Sequence, residues 1–239
     1  MKVIVLIAYL AAIFVCTLGA DKTIAPKWTH VISSTATNES RTQSLASRAT
    51  CDIKKFEKCM RTFFRHLGMT SKAPKKPPSR KFELYFSTLV GMDPQGFKKA
   101  CSYLSALSKC APPSDCWKVD SIKQLLRDGQ KGAFVILSMI WPYQYMCTKN
   151  YQTALSNWKC IIRAESQQNP CHSSGSSCKN VKAYLTCIRK LYTKKCKKAV
   201  GKMICRAEVA FVKAIAPNLC KPKDFDKACK KLRGLNDRF

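Results

Sequence analysis

Carboxylates are scarce in this chain. Against 43 Lys and Arg it carries 14 Asp and Glu, a formal charge of +29 over 239 residues, far more than solubility asks of a small domain. Such an excess argues against a balanced, inert surface and for a partner of negative charge. Histidine is scarcer still, with three in the chain. The usual general base at neutral pH is therefore confined to His30, His66 and His172. No G-x-S-x-G, Walker loop or H-E-x-x-H is present, so the nucleophile, phosphate-cradle and zinc-protease patterns are all missing. The cysteine pair, His-Asp step and glycine-rich calcium loop of secreted phospholipases are missing too. A meeting of His66, His172 and a lysine, as in a basic ribonuclease, is the catalytic arrangement left standing, and no motif surrounds either histidine. The expectation is a non-enzymatic protein without a cofactor. Metal is not expected either: no C-x-x-C occurs, and the nearest pair, Cys110 and Cys116, lies wider than structural zinc spacing. Alternating β-branched runs with hairpin turns are also lacking, which removes a sheet and leaves an all-α fold.

What is present begins with a leader. The opening "MKVIVLIAYLAAIFVCTLGA" has one Lys, an apolar run and small residues at its end, the layout of a secretory signal peptide over 1–20. Its apolar run is shorter than the ~20 residues a membrane span needs, so cleavage after Gly19 or Ala20 is expected, with a secreted, extracellular product. Cys16 would leave with it. Of the 15 cysteines, the remainder are Cys51, Cys59, Cys101, Cys110, Cys116, Cys147, Cys160, Cys171, Cys178, Cys187, Cys196, Cys205, Cys220 and Cys229, an even set that reads as a disulfide framework in a secreted chain. Roughly 135,000 pairings are open to such a set, and spacing alone does not choose among them. Residues 21–50 are rich in Ser and Thr and have no periodic apolar face, which predicts a flexible tail. Asn38-Glu39-Ser40 within it is an N-glycosylation acceptor.

From Cys51 the apolar period becomes helical, and 51–239 reads as one cysteine-rich helical domain with room for two subdomains, about 51–146 and 147–239. Ile53, Phe56, Met60, Phe63, Phe64 and Leu67 share a face that Gly68 ends. The segment 71–81, "SKAPKKPPSRK", reads as a proline-lysine loop. Asp93-Pro94 starts the next helix as cap and first-turn proline, with Phe97, Cys101, Leu104 and Leu107 on one side. The run "AFVILSMIW", 133–141, is apolar all round and is closed by Pro142 in this reading; at this length it is a buried central helix. Further helices are expected at about 150–165 and 224–233.

The stretch 178–211, "CKNVKAYLTCIRKLYTKKCKKAVGKMICRAEVAF", carries the strongest signal. At 100° per residue Val181, Tyr184, Leu185, Ile188, Leu191 and Tyr192 share one face, with Lys182, Arg189, Lys190 and Lys194 on the other. Ala199, Met203, Ala207 and Phe211 fall roughly 100° away from that face. The register therefore breaks within 193–198, giving two helices, the second with Lys198, Lys202, Arg206 and Lys213 along its outer side. Cysteines nine apart point to opposite sides of a helix, so Cys178, Cys187, Cys196 and Cys205 are expected to bond other elements. Between Glu165 and Glu208 there is no carboxylate.

The blocks "CDIKKFEKCM", "FKKACSYLSALSKCAPPSDC" and "CKNVKAYLTCIRKLYTKKC" resemble the cysteine-rich helical secreted domains of unknown function of nematodes and related invertebrates, some of which occur in chondroitin-proteoglycan-like extracellular proteins. The resemblance spans about Cys51 to Cys229 and implies a secreted, non-enzymatic protein. It supplies no site residues. The charge supplies them: Lys190, Lys194, Lys195, Lys197, Lys198, Lys202 and Arg206 are the expected contact surface for an extracellular polyanion, foremost a sulfated glycosaminoglycan and next an anionic membrane surface. Nucleic acid ranks last, because secretion removes its usual company. Two other functions compete, a carrier of a small apolar ligand or lipid lined by 133–141, and a cationic host-defence protein acting on anionic membranes.

Overall fold

The computed structural model describes residues 51–69, 79–111, 115–167, 170–171 and 177–230; the expected leader, tail and Asn38 lie outside them, as does His172. Among the described residues the regular elements are all helical, as expected: α1 (Ile53–His66), α2 (Ser79–Met92), α3 (Pro94–Cys110), a 3-10 turn (Asp115–Trp117), α4 (Val119–Ile122), a second 3-10 turn (Lys123–Leu125), α5 (Gly129–Lys149), α6 (Tyr151–Ser156), α7 (Trp158–Ser166), α8 (Cys178–Lys195), α9 (Lys198–Ile215) and α10 (Pro222–Cys229).

Local chemistry sets several of the ends. Asp52 accepts the Lys55 amide at 3.0 Å to start α1, and Gly68, at φ +83, takes the left-handed conformation that ends it. Asp93 accepts the Gly96 amide at 2.8 Å, with Pro94 in the first turn of α3. Gly96 itself is needed for a close approach: a Cβ there would fall 1.9 Å from the Leu89 carbonyl oxygen of α2.

Three departures from the sequence reading have local causes. Ser79, Arg80 and Lys81 belong to α2, not to a loop. Ser79 is held by a distant partner, Asp128, which accepts its amide at 2.7 Å and its hydroxyl at 2.6 Å; Phe82, Phe86 and Val90 then enter the core on one face. Pro142 does not close the central helix, which runs on to Lys149. A proline inside a helix costs ~3 kcal/mol, and here the cost is offset by burial of Ala133, Ile136, Leu137, Ile140 and Met146 along α5. The expected helix over 150–165 is two, because Asn157 turns its amide back to donate to the Thr153 carbonyl at 2.7 Å. The break swings Trp158 inward, where its indole N–H donates to the Val90 carbonyl at 2.8 Å and its ring stacks on Phe97 at 4.1 Å.

Among the described residues seven disulfides pin the bundle. Cys51–Cys116, Cys59–Cys110 and Cys101–Cys147 lie in the first half. Cys160–Cys196, Cys171–Cys187, Cys178–Cys220 and Cys205–Cys229 lie in the second. Among the described residues no bridge joins the halves; α5 does so instead, packing on α2, α3 and α4 and most extensively on α9. The buried residues form one continuous cluster.

Candidate functional site

Helices α8 and α9 form a hairpin around the broken register at 196–197. The break falls where the two hydrophobic phases disagree, and it is sharp: Cys196 sits at φ −116, ψ −84, and Lys197 is extended. Gly201 lets the helices close, since a Cβ there would lie 2.5 Å from the Arg189 carbonyl oxygen and 2.2 Å from Thr193 Oγ1. The expected inner face of α8 is buried at Val181, Tyr184, Leu185, Ile188 and Tyr192. On α9 the buried face is Val200, Met203, Ile204, Ala207 and Phe211, whereas Ala199, expected to join it, is exposed.

Lys190, Lys194, Lys197, Lys198, Lys202 and Arg206 are exposed, and Lys195 is half-buried. Cys196, at the centre of "KKCKK", is bonded to Cys160 of α7, so the turn that carries Lys194, Lys195, Lys197 and Lys198 is covalently anchored to the bundle. Lys194 and Lys195 occupy the last turn of α8, where the helix dipole favours a cation. Lys197 and Lys198 occupy the start of α9, where it does not, and no side chain caps that end. Two further basic residues assigned to the outer face are otherwise engaged. Arg189 is buried and donates from Nη1 to the Lys230 carbonyl at the end of α10, and burial lowers its pKa. Lys182 is paired with Asp224 at 3.2 Å, a contact that holds the Asp224 carboxyl below its usual range. Position in the helical wheel placed both outward; partners brought by α10 turn them to structural use.

The two carboxylates that bracket the acid-free segment come together in the interior. Glu165 ends α7 and Glu208 lies mid-α9, each set deep in the fold although partly accessible as a residue. Burial raises the Glu165 carboxyl from 4.5 to about 7, with repulsion from Glu208 adding to it. Glu208 is raised to about 7 by burial, against a hydrogen bond from the Tyr184 hydroxyl at 3.3 Å that lowers it. Burial first, and these carboxylates second, push the Tyr143 and Tyr192 hydroxyls well above their ordinary value. Sequence reading missed this cluster, although its signal was there: these are the two acids at which the acid-free segment stops.

A groove of about 550 Å³ runs along the outside of α8, lined among others by Pro170, Cys171, Ala183, Leu191, Lys190 and Lys194. A second of about 510 Å³ lies over the Cys101–Cys147 bridge, with Ser102, Ser105, Ser108, Gln144, Lys98 and Lys109. The segment 133–141 lines neither. His66 is exposed and stacks on Tyr103 at 5.0 Å. Among the described residues no group of three or more His, Cys, Asp or Glu is placed to hold a metal ion, and no helix is long and apolar enough to cross a membrane. No family model, curated protein or solved structure matches this chain.

Proposed function

We propose that this protein is a secreted, non-enzymatic binder of extracellular polyanions, with sulfated glycosaminoglycans as the leading class and the anchored basic turn between α8 and α9 as the contact surface. The observation that carries the reading is the Cys160–Cys196 bridge at the centre of "KKCKK". A turn fixed before binding loses less conformational freedom on meeting a ligand, so its charges act at lower entropic cost than those of a mobile loop. Two features support it. The nearest acids in sequence, Glu165 and Glu208, are drawn inward and held partly protonated near neutral pH, so they offset the surface charge less than their number suggests. Lysines at the start of α9 oppose the helix dipole, and an anion bound there relieves the opposition. The resemblance to secreted invertebrate domains and the leader-like first twenty residues agree with an extracellular setting.

The test is local charge reversal. Replacing Lys194, Lys195, Lys197 and Lys198 by Glu should lower the salt needed to elute the protein from immobilised heparin and flatten the dependence of log affinity on log salt, the direction expected when bound counterions are released. The same reversal at Lys54, Lys55, Lys58 and Arg65, exposed on α1, should do less. Equal losses would mean that binding follows net charge alone, and the surface assigned to α8 and α9 would be wrong.

A further inference from the structure

The groove on the outside of α8 has a different chemistry from the basic turn beside it. Its floor is apolar along the helix: Ala183, Cys187 and Leu191 recur every fourth residue, and Pro170 with the Cys171–Cys187 bridge closes one side. From Ala183 to Leu191 the floor runs about 12 Å, at 1.5 Å per residue. The groove, about 550 Å³, is open along its length, so a ligand would lie against α8 with one side in water.

Charge along the groove is lopsided. Lys182, at one end, is paired with Asp224. Lys190 and Lys194, at the other, lie one helical turn apart on the rim, and among the described residues neither has a carboxylate partner. One end is thus cationic, the other neutralised, with an apolar track between.

Three occupants can be compared on those facts. A neutral apolar molecule would cover the floor but would strip water from Lys190 and Lys194 without giving them a partner. A sulfated sugar chain would satisfy the lysines and leave the floor wet. A molecule with an anionic head and a single hydrocarbon tail satisfies both, its head between Lys190 and Lys194 and its tail over Leu191, Cys187 and Ala183 toward the neutralised end. We infer that the α8 groove binds a single-chain amphiphile with an anionic head, carboxylate or phosphate. This goes beyond the polyanion reading and shares only Lys190 and Lys194 with it.

The experiment uses the oxidised secreted protein and a fluorescent ten-carbon fatty acid, a tail that matches the length of the floor, below its aggregation concentration. Decanoate and decyl phosphate should displace the probe. The stronger of the two identifies the head. Decanol, with the tail and no charge, and acetate, with the charge and no tail, should each be at least about tenfold weaker. Ala183→Trp fills the floor from an exposed position; it should weaken decanoate at least tenfold and leave elution from heparin unchanged. Lys190→Gln with Lys194→Gln should weaken decanoate and leave decanol as it was. If Ala183→Trp binds decanoate like the parent protein, if decanol competes as well as decanoate, or if the probe does not bind the protein at all, the inference is wrong. Loss of decanoate binding in Ala183→Trp together with heparin elution that ignores Lys194, Lys195, Lys197 and Lys198 would retain the groove and remove the polyanion reading instead.

Discussion

Lys197 is the residue at which stability and binding pull in opposite directions. It stands at the N-cap of α9 with an extended backbone and no acceptor to offer the first amides, a position that favours Ser, Thr, Asp or Asn by roughly 1 kcal/mol. Its charge also meets the positive end of the helix dipole, at a further cost of about 0.3–1 kcal/mol. Lys197→Asp should therefore raise the melting temperature by several degrees and at the same time lower the salt needed to elute the protein from heparin. A stabilised variant that elutes as before would place Lys197 outside the contact surface. Arg189 teaches the complementary point. Its place on the wheel gave it to solvent, but its guanidinium reaches the Lys230 carbonyl, and a bond between residues so far apart in sequence leaves no trace in local periodicity.

Among the elements, the α8–α9 hairpin was the most legible, because a change of hydrophobic phase can be read from the residues on either side of it. The break expected within 193–198 is found between Lys195 and Lys198. What periodicity does not carry is how closely the two helices approach, and that depends on Gly201. Alanine is the better helix former by about 1 kcal/mol, so in a loosely packed hairpin Gly201→Ala would stabilise. Here its Cβ would lie 2.5 Å from the Arg189 carbonyl oxygen and 2.8 Å from the Thr193 amide nitrogen, atoms of backbone that cannot rotate away. The variant should lose on the order of 1–3 kcal/mol, read from urea unfolding; a gain would show that the helices are free to separate. Element α2 was missed for a related reason. Its cap, Asp128, lies far along the chain, and the proline-lysine segment before it resembles the opening of a longer loop. Pro142 misled in the other direction, since the rule that proline ends a helix weighs one lost hydrogen bond and not the burial that α5 gains around it.

At the scale of the whole molecule, the all-α class was legible from the apolar period and the pairing of every cysteine from Cys51 onward from their even number, while the partners were not, because pairing depends on which helices meet. The bridges staple each half separately, and the carboxylate cluster of Glu165 and Glu208 lies within electrostatic reach of Tyr143 on α5, the helix that joins them. That cluster gives the molecule a pH dependence whose sign can be worked out. Each carboxyl is held near 7 in the folded state against 4.5 as its ordinary value, so folding favours the protonated form. The stability this contributes is fully present below about 4.5 and is lost as pH rises through about 7, with a ceiling on the order of 3 kcal/mol for either group. The Asp224 pair works in the opposite direction, its contribution lost only in acid as that carboxyl is protonated, below its ordinary 3.8. Net charge also opposes the cluster: with 43 Lys and Arg against 14 acids, self-repulsion eases as pH rises, which alone would make the protein more stable at pH 8 than at pH 5. Thermal unfolding across that interval decides between them. If the buried pair dominates, the melting temperature falls from pH 5 to pH 8, and Glu208→Gln, which keeps an oxygen to accept the Tyr184 hydroxyl, removes most of the fall. A melting temperature that rises with pH, unchanged in slope by Glu208→Gln, would mean that the two carboxyls ionise without cost and do not act as a pair.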